Sequence, residues 1–357
     1  MAVSLTQPEA RDTHAADSAV RVWLLFVAAL VFAMVVVGGA TRLTESGLSI
    51  TEWKPLLGAI PPLSEADWHA AFDKYKAIPE YSIVNAGMSL VEFKFIYWWE
   101  WTHRFLGRFI GFAFALPFLA FWATGRLRRG FSFKLFGVLA LGGLQGAIGW
   151  YMVKSGLVDR IDVSQYRLAL HLVTAFAILA LLIWLALEAG PASARVRLPT
   201  ITRGQRRLAI VLFVLIFVQA GLGALVAGLK AGLTYNTWPL MDDKLIPAGL
   251  ATLSPWYLNL FENVTTVQFD HRLVAYCIVA LALWHVAALV RSTDHERVVG
   301  SAGLLAACVL GQMSIGIWTL LSGVPLLLGL AHQAGAAIVI AAATLHLNVI
   351  TRAAARE

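Results

Sequence analysis

Eight stretches of about 20 apolar residues, set apart by polar connections, constrain this chain more than anything else in it. A helix of that length crosses the hydrocarbon core of a bilayer, and lipid offers no partner to backbone groups left outside a helix or a closed barrel. The spans read as residues 22–41, 103–124, 134–153, 167–187, 208–228, 271–291, 299–321 and 330–349. Composition agrees: 59% of the 357 residues are hydrophobic and 14% charged, where a soluble domain carries about 25%. The expected fold is an all-α polytopic membrane protein. Its net charge of +7 is then to be sorted by membrane side, and no nucleic-acid partner is expected.

Lysine and arginine set the orientation. The connection between spans two and three carries Arg126, Arg128, Arg129 and Lys134; the one between four and five carries Arg195, Arg197, Arg203, Arg206 and Arg207. Arg11, Arg21, Arg352 and Arg356 lie in the tails. The alternate connections are mixed or acidic, with Glu45, Glu52, Glu65, Asp67, Asp73, Glu80 and Glu92 in the first and Asp242, Asp243 and Glu262 in the third. The positive-inside rule puts both termini in the cytoplasm, so spans two, four, six and eight run inward. Glu9, Asp12 and Asp17 speak against a transit peptide, and residues 1–21 read as a cytosolic tail. The expected units are that tail, a four-helix half over 22–190 with a long outer loop at 42–98, a basic linker over 191–207, a second half over 208–350, and a tail at 351–357. In the outer loop, Ser64 with Asp67 reads as a helix start. Trp68, Phe72 and Tyr75 then fall on one face, so a short amphipathic helix on the outer surface is expected, with His69 on its solvated side. Cys277 and Cys308 sit in apolar runs and read as small buried hydrophobes.

The chain repeats itself. Glu100-Trp-Thr-His103-Arg104 matches Gln268-Phe-Asp-His271-Arg272 at an offset of 168. Gln145, Ile148 and Gly149, with Ser155-Gly156 beyond, match Gln312, Ile315 and Gly316, with Ser322-Gly323, at 167. Gly47-Leu48-Ser49 through Trp53 matches Gly232-Leu233-Thr234 through Trp238 at 185, and the run ending at His171 matches the run ending at His332 at 161. Each half holds four spans, an even number, so both enter from the same side. That is the pattern of a parallel repeat, two pseudo-symmetric four-helix bundles related by an axis along the membrane normal.

Four of nine histidines occupy matched places: His103 and His171 in the first half, His271 and His332 in the second. Each lies near the start of an even span, which puts all four toward the outer side. Paired imidazoles from facing helices suit the two axial positions of a haem iron. Zinc would require three or four ligands, and no Cys, His or carboxylate set supplies them in both halves. Gly146, Gly149, Gly311 and Gly316 leave room for a macrocycle, or equally for close helix packing. His285 and His346 each follow a matched histidine by 14 residues, about 21 Å along a helix. That spacing suits a second haem near the other membrane face, or a locally satisfied polar pair. The first half has Pro117 and Leu185 instead.

The repeat breaks at one informative place: Glu100 stands where the second half has Gln268. A carboxylate can move protons and an amide cannot, so the first half is the reactive one and the second holds a stable haem. The plainer alternative for Glu100 is an ion pair with Arg104 one turn on. Arg104 and Arg272 suit haem propionates, or interfacial anchoring.

Together these features resemble the haem A synthase family in its larger, proteobacterial and mitochondrial-type branch. The resemblance covers residues 22 to 350. It rests on the spans, the histidines, the Glu100-x-x-His103-Arg104 signature, the Gly-Gly-Ala-Thr-Arg-Leu-Thr-x-Ser-Gly-Leu-Ser run at 38–49, and Thr237-Trp238-Pro239-Leu240-Met241. It implies oxidation of the C8 methyl of haem O, by successive hydroxylations, to the formyl group of haem A, the haem of terminal oxidases, and hence a role in cytochrome oxidase assembly. It implies that His103 and His171 flank the substrate haem, that Glu100 is the catalytic carboxylate, and that His271 and His332 ligate a cofactor haem b. A bacterial inner-membrane location with sites toward the periplasm, an unidentified electron carrier and a haem O synthase as partner follow from the same likeness. The outer-loop cysteine pair of some family members is missing here. An electron-transfer cytochrome b-like protein is the main rival; it explains the histidine pairs but not a carboxylate beside only one of them. A transporter with parallel repeats leaves the histidines without a task.

Overall fold

The computed structural model describes residues 9–53, 57–159, 162–190, 198–353 and 355–356. Residues 1–8 of the expected tail, and Arg195 and Arg197 of the basic linker, lie outside them. Local sequence starts four of the helices with side-chain caps. Ser64 and Asp67 close a capping box that opens α2 (Glu65–Lys76), and Ser89 with Glu92 opens α4 (Leu90–Ala123) in the same way. Thr202 with Gln205 opens α7 (Arg203–Gly228), and the Asn263 side chain accepts from the first free amides of α9 (Val264–Val290). Gly125 ends α4 with φ of +66°, a backbone that favours a residue without Cβ. The remaining helices are α1 (Glu9–Leu43), α3 (Pro79–Ile83), α5 (Phe131–Asp159), α6 (Gln165–Glu188), α8 (Asn259–Glu262), α10 (Glu296–Leu321) and α11 (Leu326–Arg352).

Eight of these are long and apolar enough to cross a membrane: α1, α4, α5, α6, α7, α9, α10 and α11. The protein is an all-α, multi-pass membrane protein. The helices outrun the expected spans at both ends of the chain. α1 begins at Glu9, inside the expected tail, and α11 runs to Arg352. α4 begins 13 residues before His103, and α6, α9 and α11 begin six or seven residues before theirs. The matched histidines therefore sit inside helices rather than at their mouths. Hydropathy sees only the apolar part of a helix; its capped polar turns continue beyond it.

Helices α1, α6, α7 and α11 pack at the centre, with α4 and α5 outside one pair and α9 and α10 outside the other. Buried Leu24, Phe176, Leu182, Leu212 and Ile340 fill the middle, with Phe118 and Leu135 beside them. The outward faces carry residues such as Phe112, Leu116 and Trp284 toward lipid. Cys277 is exposed on such a face, contrary to the expected burial: in a membrane an apolar position need not be covered by protein. The halves meet closely. Gln333 of α11 donates to the Val35 carbonyl of α1 at 2.7 Å, and its amide fills the space where Gly39 lacks a side chain. The expected surface helix is present as α2, with His69 exposed, but its apolar face packs on protein. Trp68, Phe72 and Tyr75 bury against Phe93, Ile96 and Tyr97 in the first turns of α4. Among the described residues the strands amount to a two-residue parallel ladder, Ile201–Thr202 with Ala355–Arg356, which ties the linker to the C-terminal end.

Candidate functional site

His103 stands on α4 and His171 on α6; His271 and His332 take the same places on α9 and α11. Folding brings each matched pair together. The ring centroids are 6.4 Å apart for His103 and His171, and 6.5 Å apart for His271 and His332, with the rings nearly perpendicular in both. A metal–imidazole bond is about 2.0–2.1 Å, and a ring centre lies about 1.1 Å behind its nitrogen, so two imidazoles sharing one metal stand about 6.3 Å apart. Both pairs fit an axially ligated iron by that measure. Among the described residues no three His, Cys, Asp or Glu side chains cluster as metal ligands, so the donor set is two nitrogens per half.

Each ring is seated against a glycine of a neighbouring helix. A Cβ at Gly38 (α1) would meet His103 at 3.1 Å, and one at Gly149 (α5) would meet His171 at 3.1 Å. Gly223 (α7) faces His271 at 3.2 Å, and Gly316 (α10) faces His332 at 2.7 Å. The glycines named from the sequence thus separate. Gly149 and Gly316 cradle the rings of His171 and His332, whereas Gly146 and Gly311 face open space. Gly38, the first residue of the run at 38–49, and Gly223 carry no sign of a histidine seat by themselves, although the Gly47/Gly232 match at 185, carried nine residues back, pairs them.

The 14-residue spacing has the other outcome. His285 and His346 are both 1% exposed and hydrogen bond directly, Nε2 to Nε2, at 2.9 Å. His346 Nδ1 meets Ser301 Oγ, also at 2.9 Å. Two metal–nitrogen bonds of about 2.0 Å each do not fit in that gap. This pair is a local polar contact that engages both ring nitrogens of His346 and leaves His285 Nδ1 buried without a partner.

Glu100 is 2% exposed and fully engaged. Arg104 donates to Oε1 from Nε at 3.0 Å and from Nη2 at 2.6 Å. Ser49 Oγ and the Ile50 amide donate to Oε2 at 2.8 and 2.7 Å. The ion pair weighed as the plainer alternative is therefore present. Ser49 and Ile50 went unnoticed as partners; the matched Gly-Leu-Ser and Gly-Leu-Thr runs were their signal. Arg104 also donates to the carbonyls of Ile50, at 2.7 Å, and Glu52, at 3.0 Å. Arg272 repeats this on Tyr235, at 2.8 Å, and Thr237, at 2.9 Å. Both arginines thus grip the loop that returns from α1 or α7. Gln268 donates to the Tyr235 carbonyl at 3.0 Å, and its Oε1 is buried without a partner. The same scaffold carries a carboxylate held by four donors in one half and a half-satisfied amide in the other.

The COX15-CtaA family model, described as a cytochrome oxidase assembly protein, matches residues 21–344. The chain is 55% identical over 327 residues to the heme A synthase of Chelativorans sp. (strain BNC1), covering 92% of this chain and 90% of that one. It is 52% identical over 340 residues to the heme A synthase of Parvibaculum lavamentivorans, covering 95% and 96%. It is 55% identical over 336 residues to that of Azorhizobium caulinodans, covering 92% and 93%.

Proposed function

We propose, from the premise that this chain belongs to the COX15-CtaA family and shares the activity of its heme A synthase relatives, that its two halves divide the work of that reaction. The protein is an oxidoreductase that converts haem O to haem A. The first half takes haem O between His103 and His171, and the second holds a resident haem b between His271 and His332. The observation that carries this division is Glu100 against Gln268 on otherwise matched scaffolds. When bound, haem b supplies one-electron transfer toward the substrate site. His103 and His171 orient the substrate macrocycle so that its C8 methyl, oxidised by successive hydroxylations, stays in the reactive half. Glu100 holds or passes a proton at Oε2, the oxygen now bound by Ser49 and Ile50. Arg104 keeps Oε1 in place. Arg104 and Arg272 hold the loops over the two sites, and the cap of α2 and α3 shields the first from water.

The proposed setting is a bacterial inner membrane, with both termini cytoplasmic and the haem sites toward the periplasm. Haem O reaches the site from lipid, handed over by a haem O synthase, and an electron carrier not yet identified completes the cycle.

Pigment extraction after co-expression with a source of haem O tests the reading. The wild-type chain yields haem A. Glu100→Gln is expected to keep haem b and lose about 100-fold or more of the product, the scale of a lost general acid–base group. Wild-type yield from that variant refutes the role of Glu100. Haem B alone from the wild type would favour the electron-transfer cytochrome.

A further inference from the structure

The two histidine pairs share their spacing but not the way their rings are held. In the second half, Gln219 of α7 sets its Nε2 3.1 Å from Nδ1 of His271 and 3.0 Å from that residue's own carbonyl oxygen. Gln312 of α10 does the same for His332, at 3.1 and 2.8 Å. One carboxamide therefore fastens both the ring and the backbone of each histidine. The bond to the carbonyl keeps the amide nitrogen turned toward the histidine, and at His271 that nitrogen lies 3.4 Å from Nε2 as well as 3.1 Å from Nδ1, so the contact holds the ring in place. Oε1 of both glutamines is buried and without a partner, so neither is committed elsewhere.

The first half lacks this arrangement twice. Gln145, which matches Gln312, donates to the His171 carbonyl at 3.0 Å but makes no bond to the ring. His171 Nδ1 and Gln145 Oε1 are both buried without a partner. The position matching Gln219 at the offset of 185 is Met34. The same offset pairs Gly38 with Gly223, which cradle the matched histidines, so the correspondence holds in space as well as in sequence. Met34 points at α4, its Cε 3.3 Å from the Cβ position of Gly107, one turn past His103. A thioether is at best a weak acceptor and donates nothing to an imidazole.

We propose that Gln219 and Gln312 are positioning residues that lock His271 and His332 into a permanent ligand pair. Met34 and the slack contact of Gln145 leave His103 and His171 free to take up and release their haem. This rests on the division of labour proposed above. The physical cause is rotational. A ring fixed in orientation loses little entropy on ligating, and loss of such a partner typically weakens metal binding by about 10–100-fold. A resident cofactor needs that grip, and a substrate that must leave as product is hindered by it.

The test uses the full-length protein in detergent, with excess apomyoglobin as haem acceptor and the Soret band followed in time. Gln219→Met, which copies the first half into the second, is expected to lose haem b about tenfold or more faster and to shift the haem b midpoint potential, with the thermal unfolding midpoint little changed. The potential is the reading that a purely structural role would not move. Met34→Gln, loaded with haem O, is expected to release it about tenfold more slowly than wild type. Wild-type release and potential in Gln219→Met overturn the proposal, as does wild-type release from Met34→Gln; if Gln219→Met does not assemble, Met34→Gln decides alone. The site reading fails separately, if His271→Ala still retains haem b with a wild-type spectrum.

Discussion

At the scale of single residues, the site is built from groups that would be unremarkable alone. Glu100 shows why a matched copy is informative. Its four donors suit a structural carboxylate, yet Gln268 occupies the same scaffold with one polar atom unsatisfied, so the scaffold itself does not require a charge. The glycines make a sharper forecast. Gly316→Ala drives a methyl to 2.7 Å from His332 and should markedly lower bound haem b, whereas Gly311→Ala, on the same helix but facing open space, should leave it unchanged. Haem content per polypeptide after purification distinguishes the two. His346→Leu should cost about 1–3 kcal/mol, because His285 and Ser301 lose a buried partner. Its haem stoichiometry should match wild type. The four matched histidines could be read from the chain because they recur in both halves, and Glu100 because it stands where the copies differ. Recurrence marks the glycines and the Ser49 run as well, but which glycines seat the rings, and that Ser49 and Ile50 hold Glu100, depends on which helix lies beside which.

At the scale of elements, the cap over the first half is the least expected feature. The amphipathic signal of α2 was plain, but what it covers was not. An apolar face at a membrane surface can meet lipid or protein, and only packing shows that Phe93, Ile96 and Tyr97 of α4 receive it. Beside it, α3 buries Glu80, 5% exposed, with Oε2 lacking a partner. Burial first, and then the charges of Glu100, Glu45 and Asp162, hold its pKa up at about 8 from 4.5, with Lys230 opposing. Tyr75 beside it is raised by burial as well. The folded cap thus keeps a proton that the unfolded chain gives up near 4.5. That contribution to stability is full below pH 4.5 and lost as pH rises through about 8. Thermal unfolding should show a higher midpoint at pH 6 than at pH 8.5, and Glu80→Gln should narrow the gap. An equal gap in the variant would place the dependence on other groups.

At the scale of the whole molecule, corresponding contacts recur in both halves: arginine on loop carbonyls, glycine under imidazole, glutamine on the histidine carbonyl. The halves differ in tightness. α4 and α5 touch over much less of their length than α9 and α10 do. The looser half is the one proposed above to take up haem O from lipid. The ion pairs Arg128–Asp17 and Lys134–Glu188 gather the start of α1, the α4–α5 connection and the end of α6 at one end of the bundle. With an even number of spans, both chain ends should lie on that side. Reporters fused to the two termini should each be active only in the cytoplasm; activity of either in the periplasm would reverse the orientation.

The sequence by itself determined that the chain crosses a membrane eight times, where its charge lies, that it is built twice over, and which four histidines and which carboxylate the copies set apart. These are properties of length, hydropathy and recurrence, and no contact is needed to read them. Tertiary structure decided the rest. It set two imidazole pairs about one shared metal's width apart and closed the third pair into a hydrogen bond. It put Gln219 on the His271 ring where the first half has Met34. The reason is one of range: a helix fixes which residues share its face, but the distance between two faces is set by every side chain packed between them, and the difference between a ligand site and a hydrogen bond here is little more than an ångström.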